Sequence, residues 1–156
     1  WQEHRALLIA YRVMSNSADG LLYVVKVLVA PARRNDHAVF SFKTAILAFG
    51  IEVPASILLK KAIRSDMQFV DLPQSKTALT PSDQFSMPSG HTAAAFVAAS
   101  LVFVFLPGLS YIAFLWASMV GVSRVVLGVH YPTDVVAGAA LGSLSVYIAT
   151  GFGALL

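Results

Sequence analysis

Cysteine is absent from the 156 residues of the chain. The sequence therefore contains neither a disulfide framework nor a thiolate metal site. Cysteine usage does not indicate whether the protein lies in an oxidising or a reducing compartment. Charged residues are also scarce, at 12% of the chain, which is about half the share found in ordinary soluble domains. The net charge of +3 is small, and the basic residues lie in loops and at the ends of apolar runs. That distribution suits anionic lipid headgroups or phosphate better than nucleic acid.

Hydrophobic residues make up 57% of the chain, and the mean hydropathy is +0.72. These values are typical of an integral membrane protein, and we expect residues 1–156 to form a single membrane-embedded domain. Long apolar runs separated by short polar stretches favour helices over a β-barrel. We therefore predict an all-α, polytopic transmembrane bundle of about five spans with an N-terminal interfacial helix. The predicted spans are 21–32, 39–59, 92–106, 109–127 and about 132–152.

The N-terminal third supports less definite predictions. Residues 1–14 mix apolar and basic side chains, a pattern compatible with an amphipathic helix lying in the membrane interface. They are equally compatible with the end of a longer helix, because the chain begins at Trp1 without a methionine and we expect sequence to precede it. The run 21–32 is shorter than the roughly 20 residues that a bilayer requires, so it must tilt, borrow flanking residues or be shielded by neighbours.

One carboxylate, Glu52, lies near the middle of a predicted span, two residues before Pro54. An intramembrane glutamate is a functional candidate by default. No neighbouring residue completes a site around it, however. The structural alternative is that Glu52 faces the bundle interior and pairs with a polar group of another helix.

Two histidines flank a predicted helical hairpin. His91 precedes the first of two apolar runs and His130 follows the second, with the helix-breaking pair Pro107-Gly108 between the runs. At about 1.5 Å per residue, each run travels roughly 22 to 28 Å, so the chain leaves one membrane face at His91 and returns to it near His130. We expect the two imidazoles to meet at that face.

Residues suited to binding an anion surround each histidine. Pro88 to His91 places backbone N–H groups, a hydroxyl and an imidazole at a helix N-terminus, where partial positive charge collects. Alone, this segment is equally compatible with an ordinary helix cap. Asp134 follows His130 by four residues and can hold its imidazole in one tautomer, although such a pair can also be a simple interfacial hydrogen bond. The two segments together with Arg124, at hairpin spacing, predict a functional site.

These segments resemble motifs of the type 2 phosphatidic acid phosphatase superfamily, the lipid phosphate phosphatases that share an active-site plan with vanadium-dependent haloperoxidases. Pro88 to His91 matches the family's Pro-Ser-Gly-His motif. Ser123 to Asp134 matches its motif of Ser-Arg, five residues, His, three residues and Asp. The resemblance is good from Glu52 to Gly142 and loose in the N-terminal third. A haloperoxidase is not expected, because the relatives of that type are soluble proteins.

The resemblance implies a hydrolase of lipid phosphates or polyprenyl diphosphates that uses neither a metal ion nor another cofactor. His130 would attack phosphorus to form a phosphohistidine, oriented by Asp134, and His91 would serve as general acid and then as general base. The phosphoryl oxygens would be neutralised by Lys60, Arg124, Ser89 and the Gly90 amide. The implied partners are a lipid phosphate substrate and membrane lipids. For a bacterial member, the resemblance also implies an inner-membrane protein with a periplasm-facing site; charge counting does not settle the orientation.

The chain departs from the family in its first motif, which is a lysine followed by six residues and Arg-Pro. Counting from Lys60 arrives at Met67 and Gln68, so the lysine is kept and the arginine is missing. Arg64 lies in the same segment at a different spacing and is a candidate replacement as a phosphate ligand. The alternative to an active enzyme is therefore a degenerate, non-catalytic relative that binds lipid phosphate or has a structural role.

Overall fold

The computed structural model describes residues 9–11, 13–14, 36–63 and 87–153. Four long α-helices account for most of these residues, and no strand occurs among them. They are α1, Asp36–Ile63; α2, Gly90–Phe105; α3, Ser110–Val126; and α4, Pro132–Gly153, with a 3₁₀ turn, Pro107–Leu109, between α2 and α3. The predicted all-α class is confirmed. The predicted break at Pro107 is also confirmed, because this residue opens the 3₁₀ turn.

The predictions for the N-terminal third fall largely outside the described residues. This applies to the span 21–32 and to most of the interfacial helix predicted for 1–14, of which residues 9–11 and 13–14 are described and are helical. Four of the five predicted spans therefore correspond to observed helices. The fifth stays a prediction.

Among the described residues, three helical segments are long and apolar enough to cross a membrane: Val39–Ile63, Pro107–Val126 and Pro132–Gly151. Helix α2 is apolar as well, but its 16 residues travel about 24 Å, less than the roughly 30 Å of a bilayer's hydrocarbon core. Large apolar side chains such as Phe103, Ile112 and Leu144 are exposed on the outside of the bundle. In a membrane these side chains face lipid.

Helix α4 packs against both α1 and α2, while α3 packs mainly against α2. The contact of α4 with α2 is a backbone contact at two glycines. A Cβ atom placed on Gly138 would lie 2.5 Å from the carbonyl oxygen of Ser89, and one placed on Gly142 would collide with the carbonyl oxygen of Ala93. Such close approach needs residues without a side chain and is common between membrane helices. It fixes the start of α2 against α4.

Helices α1 and α2 run antiparallel. Phe40, near the start of α1, packs edge-to-face on Phe105 at the end of α2, with ring centroids 5.9 Å apart. The end of α1 therefore lies beside the start of α2. Ser89 and Gly90, at the start of α2, therefore lie at the same end of the bundle as Lys60.

Candidate active site

The predicted site residues within the described chain gather where α1 and α3 end and where α2 and α4 begin. The backbone N–H of Ser89 donates a hydrogen bond of 3.0 Å to the carbonyl oxygen of Asp134. This bond joins the two motif segments, although a whole helical hairpin separates them in the sequence. The hairpin thus brings the two histidine segments together, as its length predicts.

The first motif segment forms the N-terminus of α2. Ser89 is the N-cap residue and is fully buried, while Gly90 and His91 are half-buried. The Ser89 side chain makes no hydrogen bond to the amides of the first helical turn. Its Oγ instead accepts a hydrogen bond of 3.0 Å from the hydroxyl of Thr92. The first-turn amides and the positive end of the helix dipole are therefore oriented to bind an anion beyond the helix end.

Helix α3 ends in a Schellman motif that leads directly to His130. Gly128 has a φ of 68°, a left-handed conformation that glycine adopts readily, and its N–H donates to the carbonyl oxygen of Val125 at 2.9 Å. The amides of Val129 and His130 both donate to the carbonyl oxygen of Arg124, at 3.2 and 3.3 Å. The hydrogen bond from its amide holds His130 next to the backbone of Arg124. The spacing of these two residues in the motif is therefore the spacing that this helix C-terminus requires.

His130 and Asp134 form a buried pair. His130 Nδ1 lies 3.6 Å from Asp134 Oδ2, which is an ion-pair distance rather than a hydrogen-bond distance. Asp134 Oδ2 also accepts a hydrogen bond of 2.9 Å from the N–H of Tyr131, the residue before α4. This hydrogen bond holds the carboxylate in place. It corresponds to the half of a capping box in which a side chain of the first helical turn accepts from the N–H of the N-cap residue. The carboxylate thus faces Nδ1, and Nε2 is the ring nitrogen left for chemistry.

The surroundings of His130, which lies in the connection between α3 and α4, favour a neutral imidazole. Its pKa is lowered to about 4, first because burial disfavours the charged ring and next because the positive charge of Arg124 is close. Lys60 and His91 act in the same direction, and Asp134 opposes them. At neutral pH the Nε2 lone pair is therefore available for nucleophilic attack.

Lys60 reaches the site from the last turn of α1. Its Nζ lies 4.0 Å from the point that a Cβ atom on Gly90 would occupy. The ammonium group is therefore next to the N-terminus of α2. Lys60 therefore lies at the same end of the bundle as the two histidine segments.

Glu52 and Ser56 precede Lys60 on the same face of α1, at intervals of four residues. Glu52 is 4% exposed, which confirms that it faces the bundle interior. Its Oε1 accepts a hydrogen bond of 2.8 Å from Ser56 Oγ. The predicted hydrogen-bond partner of Glu52 from another helix was wrong for this bond. The partner is Ser56, because residues four apart are neighbours on the surface of one helix. The carboxylate also interacts electrostatically with Lys60.

Part of the segment that corresponds to the first motif lies outside the described residues. Arg64, Met67 and Gln68 lie outside the described residues, so the departure from the first motif rests on the sequence alone. Over residues 36–63 and 87–153, no group of three or more His, Asp or Glu side chains could hold a metal ion.

The structure adds residues that the sequence analysis did not select. Gly128 could have been found, because a glycine just after an apolar helical run is a recognised C-cap signal. Thr92 and the Tyr131 amide carried no such signal. Their contacts with Ser89 and Asp134 depend on the path of the backbone at the two helix starts.

Comparisons with known proteins agree with the geometry. A family model described as the PAP2 superfamily matches residues 52–154. The chain is 39% identical to the Bacitracin transport permease protein BcrC of Bacillus licheniformis, over 65% of this chain and 50% of that protein. It is 40% identical to Phosphatidylglycerophosphatase B of Bacillus subtilis, over 47% of this chain and 42% of that protein. It is 33% identical to Decaprenylphosphoryl-5-phosphoribose phosphatase of Mycobacterium tuberculosis, over 79% of this chain and 64% of that protein.

Two solved structures are similar to the fold. A transmembrane PAP2 type phosphatidylglycerolphosphate phosphatase from Bacillus subtilis superposes with a TM-score of 0.73 at 26% identity, covering 96% of this chain and 78% of that one. LpxE of Aquifex aeolicus superposes with a TM-score of 0.75 at 26% identity, covering 94% of this chain and 86% of that one. By sequence, the chain spans about half the length of the first two curated relatives.

Proposed function

This chain belongs to the PAP2 superfamily, and on that premise we propose that it is an integral membrane phosphatase hydrolysing a lipid phosphate or a polyprenyl diphosphate. The observation that carries the proposal is the environment of His130. Its buried imidazole has a pKa of about 4, lies 3.6 Å from the Asp134 carboxylate and is close to the charges of Arg124 and Lys60. A neutral nitrogen beside cationic groups is suited to attack a phosphoryl anion.

In the first step, the Nε2 lone pair of His130 attacks phosphorus while the bond between phosphorus and the leaving oxygen breaks. Protonated His91 donates its proton to that oxygen, so the leaving group departs as an alcohol or a monophosphate. A phosphohistidine remains on His130. Asp134 stabilises the positive charge that the phosphorylated imidazole acquires.

In the second step, water attacks the phosphohistidine. His91, now neutral, accepts a proton from the water as the new bond to phosphorus forms. The bond between phosphorus and Nε2 breaks, and its electron pair returns to His130. Inorganic phosphate leaves, and both histidines regain their starting protonation states.

Charge on the phosphoryl oxygens is neutralised by protein groups in both steps. The ligands are Lys60, Arg124, the Ser89 hydroxyl and the Gly90 amide, with Arg64 as a further candidate. Cationic side chains and amides held in place before the reaction can supply the electrostatic stabilisation that a metal ion supplies elsewhere. The proposed reaction therefore needs no metal ion.

The relatives suggest the substrate class and the membrane. Their names refer to a phosphatidylglycerophosphatase and to a decaprenylphosphoryl-5-phosphoribose phosphatase, which supports a phosphorylated lipid or polyprenyl derivative as the substrate here. We propose that the protein lies in a bacterial inner membrane with the site facing the periplasm. The cysteine-free chain allows a direct check: Tyr131→Cys in intact spheroplasts should react with a membrane-impermeant maleimide, and protection until lysis would contradict this orientation.

The enzymatic proposal is tested by phosphate release from a panel of lipid phosphates and polyprenyl diphosphates by purified protein in detergent. We expect release from at least one substrate, and we expect EDTA to leave the rate unchanged, because the charged ligands are side chains. Orthovanadate should inhibit, since it can adopt the trigonal bipyramidal geometry of phosphoryl transfer. A strict requirement for magnesium would contradict the mechanism.

A second candidate function is favoured by Met67 and Gln68, which stand where the family has Arg-Pro. In this alternative the protein binds lipid phosphate without hydrolysing it.

If the protein is an active enzyme and Arg64 replaces the missing ligand, Arg64→Ala should lower kcat/KM by roughly 10²-fold, the order expected for loss of one charged contact in the transition state. Met67→Arg should then add little.

The same variants identify the non-catalytic alternative. A wild type inactive on every substrate, together with activity restored by Met67→Arg combined with Gln68→Pro, would support it. Arg64→Lys is the matched control, because it keeps the charge and removes the bidentate fork. An active wild type with a silent Arg64→Ala would leave Lys60 and Arg124 as the charged ligands.

A further inference from the structure

Ser89 occupies an N-cap position without capping its helix. A serine at this position usually accepts hydrogen bonds from the amides of the first turn. Here the Ser89 side chain makes no such bond, although the residue is fully buried beside those amides. Its backbone is held independently, since its N–H donates to the carbonyl oxygen of Asp134 and its carbonyl oxygen accepts from the N–H of Ala93. The unusual feature is therefore confined to the side chain.

The hydroxyl of Thr92 accounts for this side-chain orientation. Thr92 Oγ1 donates a hydrogen bond of 3.0 Å to Ser89 Oγ, and both residues are fully buried. A hydroxyl has a single hydrogen to donate. With Thr92 as the donor of this bond, the hydrogen of Ser89 is available for another acceptor.

Thr92 is itself held by two neighbouring helices. A Cβ atom placed on Gly121 of α3 would lie 3.5 Å from Thr92 Cγ2 and 3.8 Å from Oγ1. One placed on Gly138 of α4 would lie 3.3 Å from Thr92 Cβ. A β-branched side chain in a helix has few χ1 rotamers available. Packing on both sides therefore keeps the hydroxyl directed at Ser89.

We propose that Thr92 is a positioning residue for phosphoryl transfer, because its hydroxyl keeps the Ser89 hydroxyl out of the helix cap and free to donate to a phosphoryl oxygen. The inference rests on the proposed function. Without this bond, Ser89 Oγ can turn back to accept the first-turn amides. It then ceases to donate to the substrate, and it competes with the phosphoryl oxygens for the amides of α2.

The test compares Thr92→Val, which keeps the shape and removes the hydroxyl, with Thr92→Ser, which retains it. Orthovanadate affinity is measured by titration calorimetry in detergent, and kcat and KM by phosphate release. We expect Thr92→Val to weaken vanadate binding and to lower kcat by about five- to tenfold each, the order of one hydrogen bond. KM should change little, because the contact strengthens in the transition state. Thr92→Ser should restore both values.

Thr44→Val is the matched control. Thr44 is also a fully buried helical threonine, but its hydroxyl donates to the carbonyl oxygen of Phe40 in its own helix, at 2.9 Å. Its substitution should change neither vanadate affinity nor kcat. In a Ser89→Ala background, Thr92→Val should have no further effect, because the group that it positions is gone. Should Thr92→Val fail to fold, Thr92→Ala removes the same hydroxyl without adding volume.

Each outcome decides the inference. A Thr92→Val protein that matches wild type, a silent Ser89→Ala, or losses that add in the double variant would each overturn it. A wild type that binds vanadate with the expected dependence on Thr92, yet hydrolyses no lipid phosphate, would overturn the proposed function and leave only the positioning of Ser89 for anion binding. A wild type that neither binds vanadate nor releases phosphate would overturn both.

Discussion

His130→Ala should lower phosphate release by at least about 10³-fold, the scale of losing a catalytic nucleophile. In the mechanism that we propose, the His130 imidazole is the nucleophile, so its removal prevents both the attack on phosphorus and formation of the covalent intermediate. The bundle should still fold, because it is held by contacts among small buried residues and by the close packing of α2 on α4. The Asp134 carboxylate also keeps its hydrogen bond from Tyr131.

The measurement combines steady-state release with trapping of the intermediate. A phosphohistidine is hydrolysed in acid, so the reaction is stopped with an alkaline quench. We expect labelled phosphate to be recovered on wild-type protein and to be absent from His130→Ala. His37→Ala is the control, since His37 lies near the start of α1, at the far end of that helix from Lys60. Folded His130→Ala with near wild-type turnover would exclude the phosphohistidine route.

Gly142→Ala should destabilise the folded protein by about 3 kcal/mol, the upper end of the range for overpacking a tight contact. A Cβ atom at this position would collide with the carbonyl oxygen of Ala93 and lie 3.0 Å from the amide nitrogen of Val97. Both obstacles are backbone atoms of α2, so no side-chain movement can relieve the overlap. Helices α2 and α4 must separate instead.

Thermal unfolding in detergent tests this prediction by comparing Gly142→Ala with a control variant, Gly151→Ala. Gly151 lies on the same helix, where an added Cβ would meet nothing within 4 Å. Alanine there should be neutral or stabilise by up to about 1 kcal/mol, because glycine is the weaker helix former. Separation of the two helices also shifts Ser89 relative to His130, so surviving Gly142→Ala protein should have a lower kcat. Equal melting temperatures for the two variants would contradict the packing described here.

Much of the fold could be predicted from local sequence. Four apolar runs correspond to helices α1 to α4, and the boundaries differ by only a few residues, because a bilayer demands continuous apolar helices and proline and glycine interrupt them. The main exception in the described chain is α1, which continues to Ile63 beyond the predicted end at residue 59. Its last turn carries Lys60 and Lys61, and favourable interaction of these cations with the helix C-terminus supports the extension.

The arrangement of the candidate site was predictable where spacing in the sequence corresponds to distance in space. His130 and Asp134 are one helical turn apart, and a helical hairpin of the right length separates His91 from His130. The partner of Glu52 was mispredicted because hydropathy shows that a carboxylate is buried but not which neighbour it bonds. Ser56, on the same helix, was an equally available partner.

The amino-acid sequence by itself determined the membrane class, the helical architecture, the two motif segments and the departure at Met67 and Gln68. These follow from composition and from short-range spacing, which the backbone geometry of a helix converts directly into position. Only the tertiary structure decided how α2 and α4 meet, why the Ser89 hydroxyl is turned out of its cap and why the pKa of His130 falls to about 4. Each of these depends on burial and on contacts between distant segments, which arise only when the helices pack together.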